Sequence, residues 1–313
     1  GHSLDVSYSD TRTFNQTFDS QLSVSSGYTA LYVQTGNVRN RGVELSLGYE
    51  HQWGIFGWNS NYTFSTNHNE VLELMENYTH PETGNVISLD QLKVGGFANA
   101  AFVLTPGGTL GDLYTTVDLN RDEFGNVYVD KDGNISRNAE IGYRKLGSVF
   151  SKANMAWNND FNVGNFNFGF LISARLGGIV YSATQARLDN FGVSEASALA
   201  RDNGGVMVDG YIIDPYKWYS VVGADSGIPQ YYTYDATNVR LQEAHIGYTI
   251  PRRKLGGLMD ITLSLVGRNL WMIYCKAPFD PESIATAGNY YQGIDSFMMP
   301  STRNVGFSLR LKF

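Results

Sequence analysis

Apolar and polar residues alternate one by one along much of this chain, and the links between the alternating segments are short and long by turns. Few folds satisfy both conditions. The last eleven residues show the alternation most plainly: Val305, Phe307, Leu309, Leu311 and Phe313 fall on one side, and Asn304, Gly306, Ser308, Arg310 and Lys312 on the other. Residues two apart on a strand share a face, so such a strand is apolar on one side and polar or small on the other. The same division recurs with Val43, Leu45, Leu47 and Tyr49 against Glu44, Ser46, Gly48 and Glu50. Phe166, Phe168, Phe170, Ile172 and Ala174 oppose Asn167, Gly169, Ser173 and Arg175, with Leu171 as an exception.

Alternation alone fits a half-buried soluble sheet as well, so the links decide. The pattern predicts ten strands, at about 2–13, 37–53, 57–68, 96–105, 109–118, 149–163, 166–181, 237–250, 258–270 and 302–313. Between them lie tight turns at 54–56, 106–108, 164–165 and 251–257, alternating with excursions at 14–36, 69–95, 119–148, 182–236 and 271–301. Outer-membrane barrels have this asymmetry, with short periplasmic turns and long extracellular loops. In a soluble sandwich, long structureless loops at every second connection count against the assignment. Tyr49, Trp53, Phe56 and Trp58 flank one short turn, and Trp157 and Phe161 lie near another. Trp and Tyr favour a membrane interface because the ring is apolar while its N–H or O–H needs a wet partner. The predicted fold class is therefore all-β, a transmembrane antiparallel β-barrel with long extracellular loops.

Composition excludes other classes. Charged residues are 17% of the chain, against about 25% in an average soluble domain, and aromatics reach 13%, too many for a disordered chain. A net charge of −7 without a Lys/Arg cluster gives no footprint for nucleic acid. No apolar run reaches the roughly 18 residues of a membrane helix. The single cysteine, Cys275, has no internal disulfide partner. The opening Gly1-His2-Ser3-Leu4 has neither an initiator Met nor a signal-peptide pattern, which leaves two readings, a removed signal or a piece of a longer protein.

Motifs for chemistry are sparse. Asp118, Asn120 and Asp122 have calcium-loop spacing, but Glu123 stands where an EF-hand needs Gly and Val129 where it needs Glu. Asp130-Lys-Asp132-Gly133 reads as a turn, since Asp and Gly tolerate positive φ. His2, His51, His68, His80 and His245 show no metal-ligand spacing. With no GxSxG, HExxH or Walker motif, no enzyme activity, metal or cofactor is expected. Two features are candidates for binding. The 182–236 excursion carries Tyr211, Tyr216, Trp218, Tyr219, Tyr231, Tyr232 and Tyr234, flat rings with polar tips suited to sugar or peptide surfaces, or to packing the loop on itself. Its 184–201 stretch reads as short helices. The polar strand faces carry Glu44, Glu50, Arg175, Glu243, His245, Arg268, Arg310 and Lys312, which a barrel must turn to its lumen.

Several stretches resemble the SusC/RagA-like TonB-dependent outer-membrane transporters. They are Thr35–Leu47, close to that family's NxGxxxNxGxE strand with Gln34 in place of its first Asn; Leu146–Phe150; Asn238–Pro251; Val266–Trp271; Phe279–Glu282; and Pro300–Phe307. The resemblance implies that residues 1–313 are the C-terminal portion of a barrel of about 22 strands, with the N-terminal plug domain absent from this chain. It implies import of a nutrient, an oligosaccharide or peptide, across the outer membrane of a Gram-negative bacterium. The implied partners are a SusD-like surface lipoprotein as lid, TonB through the missing N-terminal part, and outer-membrane lipid. Two other readings of the residues stay open: a self-contained ten-stranded outer-membrane adhesin or enzyme, and a soluble all-β glycan-binding module.

The register is testable directly. Leu263→Arg places a cation on the apolar face and impairs membrane assembly, whereas Ser264→Arg places it on the polar face and does not. Equal folded yields of the two in heat-modifiability gels contradict this register.

Overall fold

The computed structural model describes residues 1–21, 30–75, 78–79, 86–285, 288 and 291–313. His80 and the tip of the first hairpin, 22–29, lie outside the described residues. Eight long strands form one antiparallel sheet in chain order: β1 (His2–Gln21), β2 (Ala30–Trp53), β3 (Phe56–Glu73), β4 (Ala153–Val163), β5 (Phe166–Leu176), β6 (Asn238–Ile250), β7 (Asp260–Cys275) and β8 (Asn304–Lys312). β1 and β8 are its two edges.

Two hairpins turn through two residues each, Gly54-Ile55 and Gly164-Asn165, with φ of 58° and 59° at the glycines. Positive φ at the first central position is the turn whose twist matches its strands, and glycine reaches it without a Cβ penalty. These turns and the 251–259 link lie at one end of the sheet. The excursions 74–152, 177–237 and 276–303 lie at the other, so the alternation of short and long links holds.

The register aligns the apolar residues into rows across the sheet, and directly opposed residues share a face. One row runs Leu4, Leu47, Tyr62, Trp157, Ile172, Leu241, Trp271. The row nearest the short turns runs Trp53, Phe56, Val163, Phe166, Tyr248, Leu263, Leu309, and the next runs His51, Trp58, Phe161, Phe168, Ile246, Leu265, Phe307. Their rings touch in sequence: Trp58 on Phe161 at 6.2 Å, Phe161 on Phe168 at 5.0 Å, and Phe166 on Tyr248 at 4.8 Å. The aromatic girdle foreseen at the short-turn end is thus a continuous band.

This face is uncovered. Leu4, Val6, Leu265, Val305 and Phe307 are all more than half exposed. The main buried core lies elsewhere, in a layer built by the long excursions together with the far ends of β1–β3. Its members include Phe18, Val38, Val71, Phe102, Leu104, Leu113, Leu119, Val149, Tyr181, Trp218 and Tyr232. A soluble sandwich would bury the apolar faces of its sheets against each other; here the apolar sheet face is the outer one, as lipid requires.

The structure corrects the strand count from ten to eight. The segments expected as membrane strands at 96–105 and 109–118 belong to a separate four-stranded sheet in the loop layer, made of Leu92–Phe97, Ala100–Leu104, Asp112–Thr115 and Arg144–Ser148. The reason is legible in Ala100-Ala-Phe-Val-Leu104: all five residues are buried, so the strand has no polar face to turn to a lumen. Its turn at 106–108, read as periplasmic, is pinned to the top of β3 by Gly107 N–H to Val71 O and Val71 N–H to Gly108 O, both 2.8 Å. The excursions 69–95 and 119–148 thereby become parts of one. The first hairpin extends beyond 2–13 and 37–53, and the 166–181 strand ends at Leu176, before Gly177-Gly178.

Quenching by brominated lipid separates the two topologies. A fluorophore on a cysteine placed at Leu47 is quenched in bilayers and one at Val103 is not; equal quenching would restore Ala100–Leu104 to the membrane.

Candidate binding chamber beneath the loop layer

Three short helices shape the loop layer. α1 (Ala183–Asn190) and α2 (Glu195–Asp202) occupy the stretch expected to be helical, and α3 (Pro215–Val222) follows in the aromatic segment. Each begins with a capping oxygen: Ser182 accepts from Gln185 N at 3.0 Å, Ser194 from Ser197 N at 3.0 Å, and Asp214 from Tyr216 N at 2.9 Å with Pro215 just inside.

The seven aromatic candidates divide by exposure. Trp218 and Tyr232 are buried in the core, so neither presents its ring to solvent. Tyr219, Tyr231 and Tyr234 are half-buried, with Tyr231 edge-on to Trp218 at 5.5 Å and Tyr234 edge-on to Phe279 at 5.6 Å. Burial raises the phenols of Tyr219 and Tyr231, pushes that of Tyr234 to about 12, and that of Tyr232 higher still. All four remain neutral near pH 7 and offer hydroxyl groups only. Tyr211 and Tyr216 are open to solvent at 52% and 78%.

The two acidic turns are occupied by their own chain. Asp122 Oδ1 accepts from the N–H groups of Phe124 and Asn126, and Asp130 Oδ1 accepts from those of Asp132 and Asn134, all within 2.8–2.9 Å. The segments 122–126 and 130–134 are thus two copies of one Asp-x-x-Gly-Asn turn. Buried Asp118 pairs with Arg144 at 2.7 Å and Arg121 at 3.2 Å. Burial opposes its ionisation, yet the hydrogen bonds from Arg121, the Leu119 N–H and Arg144 hold its carboxyl below the usual range. Among the described residues no three His, Cys, Asp or Glu side chains group as metal ligands.

The eight charged candidates on the polar sheet face fall into three places. Glu44 and Arg175 lie on one cross-strand row with Ser65 and Asn154, and all four line a cavity of about 610 Å³ below the loop layer. Asn40, Asn67 and Gln292 line the same cavity. Arg175 is anchored by donating to Val149 O at 2.9 Å, while its buried Nε has no partner. Nearer the short turns, Glu243, His245 and Arg310 line a second polar cavity of about 480 Å³. There Arg268 pairs with Glu243 at 3.0 Å, and His245 lies 3.7 Å from Asp160 two strands away. Gly169 stands between them in the same row; a Cβ there would come within 2.6 Å of His245 and 2.7 Å of Asp160, so glycine is what lets that contact form. Glu50 and Lys312 are exposed at the short-turn end, with Lys312 opposite Asp260.

Sequence reasoning did not anticipate a buried ionic clamp. Arg240 is 4% exposed and donates both terminal nitrogens to Asp280, at 2.9 and 3.2 Å, while reaching Glu282 at 3.0 Å and Asn238 Oδ1 at 3.1 Å. The signal was present, since Asn238–Pro251 and Phe279–Glu282 are two of the stretches carrying the family resemblance. Their separation of some 40 residues hid that they form one contact, which ties the last excursion to the top of β6.

Fold and charge layout are those of a transmembrane β-barrel wall carrying its loop layer. No family model matches the chain. It is 24% identical over 328 aligned positions to TonB-dependent receptor P39 of Formosa agariphila, covering 92% of this chain and 31% of that protein. Among solved structures, the RagAB peptide importer in its closed-closed state matches the whole chain with a TM-score of 0.70 at 15% identity, over 33% of its own chain. The RagAB peptide transporter matches with a TM-score of 0.68 at 14% identity, again over 33%. The chain spans about a third of the length of these proteins. It is similar to the SusC/RagA-like TonB-dependent receptors across nearly all its residues, as its motifs implied. The matched proteins are a receptor and transporters rather than enzymes.

The clamp makes a stability prediction. Asp280→Asn leaves Glu282 as the remaining counter-charge of the buried Arg240 guanidinium, a loss of about 1.5–3 kcal/mol. In the wild type, hydrogen bonds from Arg240, Ser301 and the Glu282 N–H outweigh burial and hold the Asp280 carboxyl below its ordinary value. Its contribution is therefore complete at neutral pH and is lost as pH falls below about 4. Melting of the detergent-solubilised protein between pH 7 and pH 3 checks both, and a variant whose melting matches wild type contradicts them.

Proposed function

We propose that this chain is the C-terminal part of the barrel of a TonB-dependent importer in the outer membrane of a Gram-negative bacterium. The observation that carries this reading is the inverted sheet: an apolar outer face ending in an aromatic girdle, and a polar inner face leading to a cavity beneath a folded loop layer. The remaining strands, bringing the barrel to about 22, and the plug belong to the part of the protein outside this chain. The edges of β1 and β8 support this, because unpaired backbone groups are costly in lipid. The cargo is a nutrient, an oligosaccharide or a peptide. A SusD-like lipoprotein closes the chamber from outside, and TonB draws the plug from the inner-membrane side.

In the import step, substrate is held between the lid and the barrel mouth, where Tyr211 and Tyr216 present open rings. Below, the guanidinium of Arg175 and the carboxylate of Glu44 line one cavity as donor and acceptor, with amides around them. Both hydroxyl-rich sugars and peptide bonds meet that chemistry. Release follows when the plug moves, and the step breaks no covalent bond.

Detergent extraction from outer membranes tests the assembly. A species of about three times this chain's 34.7 kDa, co-purifying with a lipoprotein, supports it. A folded species of this chain's own mass, transporting nothing, would overturn it in favour of a self-contained barrel. Within the assembly, Glu44→Gln combined with Arg175→Gln lowers binding of the growth-supporting nutrient about tenfold or more, the usual weight of hydrogen bonds to charged groups. Unchanged uptake at equal surface expression removes these two residues from the path.

A further inference from the structure

The sheet has a gap in its pairing away from its two outer edges. β4 pairs with β3 only as far as Ser65, opposite Asn154, whereas β3 continues to Glu73. Farther along, the N–H of Val71 donates to Gly108 O and its C=O accepts from Gly107 N–H, both at 2.8 Å. Val71 therefore turns its main-chain groups away from β2. Such groups alternate sides along an antiparallel strand. The register with β2 is unbroken from Val71, opposite Val38, back through Asn69, opposite Asn40, to Asn67, opposite Gly42. Asn67 and Asn69 thus each present an N–H and a C=O to the side that β4 has left. Among the described residues no backbone group of the chain meets these four.

The side chain of Asn69 cannot stand in for the missing strand. Its Oδ1 accepts from Leu110 N–H at 2.7 Å and its Nδ2 donates to Asn40 Oδ1 at 2.8 Å. Asn69 is only 6% exposed, and a buried backbone group without a partner costs about as much as a lost hydrogen bond. The gap is a bounded notch. Thr66 Oγ1 closes its lower end by donating to Lys152 O at 2.6 Å, and the Val71 pairing closes its upper end. A cavity of about 610 Å³, within the range of ligand sites, reaches Asn67 and Asn69 and is also lined by Lys152, Gly177 and Gly178. It shares Asn67, Asn69 and Ser151 with the cavity holding Glu44 and Arg175, so the two adjoin. Gly42, opposite Asn67, lies about 36 Å of strand from Trp53 in the girdle. At the usual barrel tilt that is about 28 Å of height, just beyond an apolar band of about 25 Å. Water rather than lipid borders the notch, so the pairing that lipid demands does not extend to it.

We propose that the notch binds an extended peptide segment of the cargo as a short added strand, whose main chain exchanges hydrogen bonds with Asn67 and Asn69. Pairing of this kind gains affinity from the main chain and leaves sequence preference to the pockets that meet alternate side chains. The four groups repeat every two residues, about 6.7 Å. Another polypeptide presents its own donors and acceptors at that spacing, whereas a sugar ring presents hydroxyls on neighbouring carbons. The proposal rests on the importer reading and names peptide as the cargo class.

The test uses the complete receptor, with and without its lipoprotein. A hexapeptide enriched from a random pool is compared with two counterparts in which esters replace alternate amides, one for each phase. Native mass spectrometry reads the affinities. The phase that removes the N–H groups facing β3 weakens binding by about two- to tenfold for each hydrogen bond lost, and the other phase does not. Asn67→Pro removes one receptor N–H without touching the ladder to β2 and loses about as much as one such bond. Asn67→Ala keeps the N–H and loses less; heat-modifiability gels verify that each variant is folded. Amide hydrogen exchange over residues 66–70 slows when the hexapeptide is added. Equal effects of the two ester phases, or unchanged exchange at 66–70, overturn the proposal. So does protection of 66–70 by the lipoprotein alone, which would give the notch to the lid. Binding of a maltooligosaccharide ladder but of no hexapeptide overturns peptide as the cargo and leaves the importer standing. A receptor that co-purifies with no lipoprotein and takes up neither probe sinks the importer reading itself.

Discussion

The need to pair every backbone N–H and C=O where no water can reach them governs this molecule. In lipid only intrasegment helical bonds or a sheet without open edges meet it, and the chain has no run apolar enough for a membrane helix. Long antiparallel strands are what remains, and the register of β1–β8 supplies the pairing for all but the outer edges of β1 and β8. Once strands are chosen, side-chain alternation follows from the pleat: one face must match lipid and the other water. The tight turns at Gly54-Ile55 and Gly164-Asn165 are the local counterpart, since a two-residue turn with positive φ at its first position matches the twist of the strands it joins.

The loop layer obeys the opposite rule. There water surrounds the chain, so apolar residues gather inward, and Phe102, Leu113, Tyr181 and Tyr232 form a core of ordinary globular character. The protein thus joins two hydrophobic regimes end to end, apolar outside in the sheet and apolar inside above it. Polar cavities and buried ion pairs gather at the junction. The cavity holding Glu44 and Arg175 lies below the layer, the Arg240–Asp280 clamp fastens the layer to β6, and the Arg39–Asp10 and Arg41–Glu70 ion pairs mark the outer boundary of the apolar face on β1–β3. A buried ion pair is a weak source of net stability; this one holds the 276–303 excursion against the start of β6.

The alternation of residues 43–50, 166–175 and 304–313 determined the strands and the apolar side of the sheet, because period two divides a strand into two faces, and the short and long links determined the lipid-facing reading and the end that carries the loops. The aromatics beside the short turns placed the girdle, and the Ala-rich spacing of 184–201 placed short helices there. What the alternation could not separate was a membrane strand from a core strand at 96–105, since Ala100–Leu104 is apolar on both sides and only packing shows that both are covered by protein. Nor could it divide the aromatic segment, in which Trp218 and Tyr232 serve the core while Tyr211 and Tyr216 remain open. The meeting of Arg240 with Asp280, of Glu44 with Arg175 in one cavity, and of Arg39 with Asp10 across a strand pair was decided by tertiary structure alone. Register and loop folding set those distances, and a linear pattern carries the period of a strand but not the partner that will lie beside it.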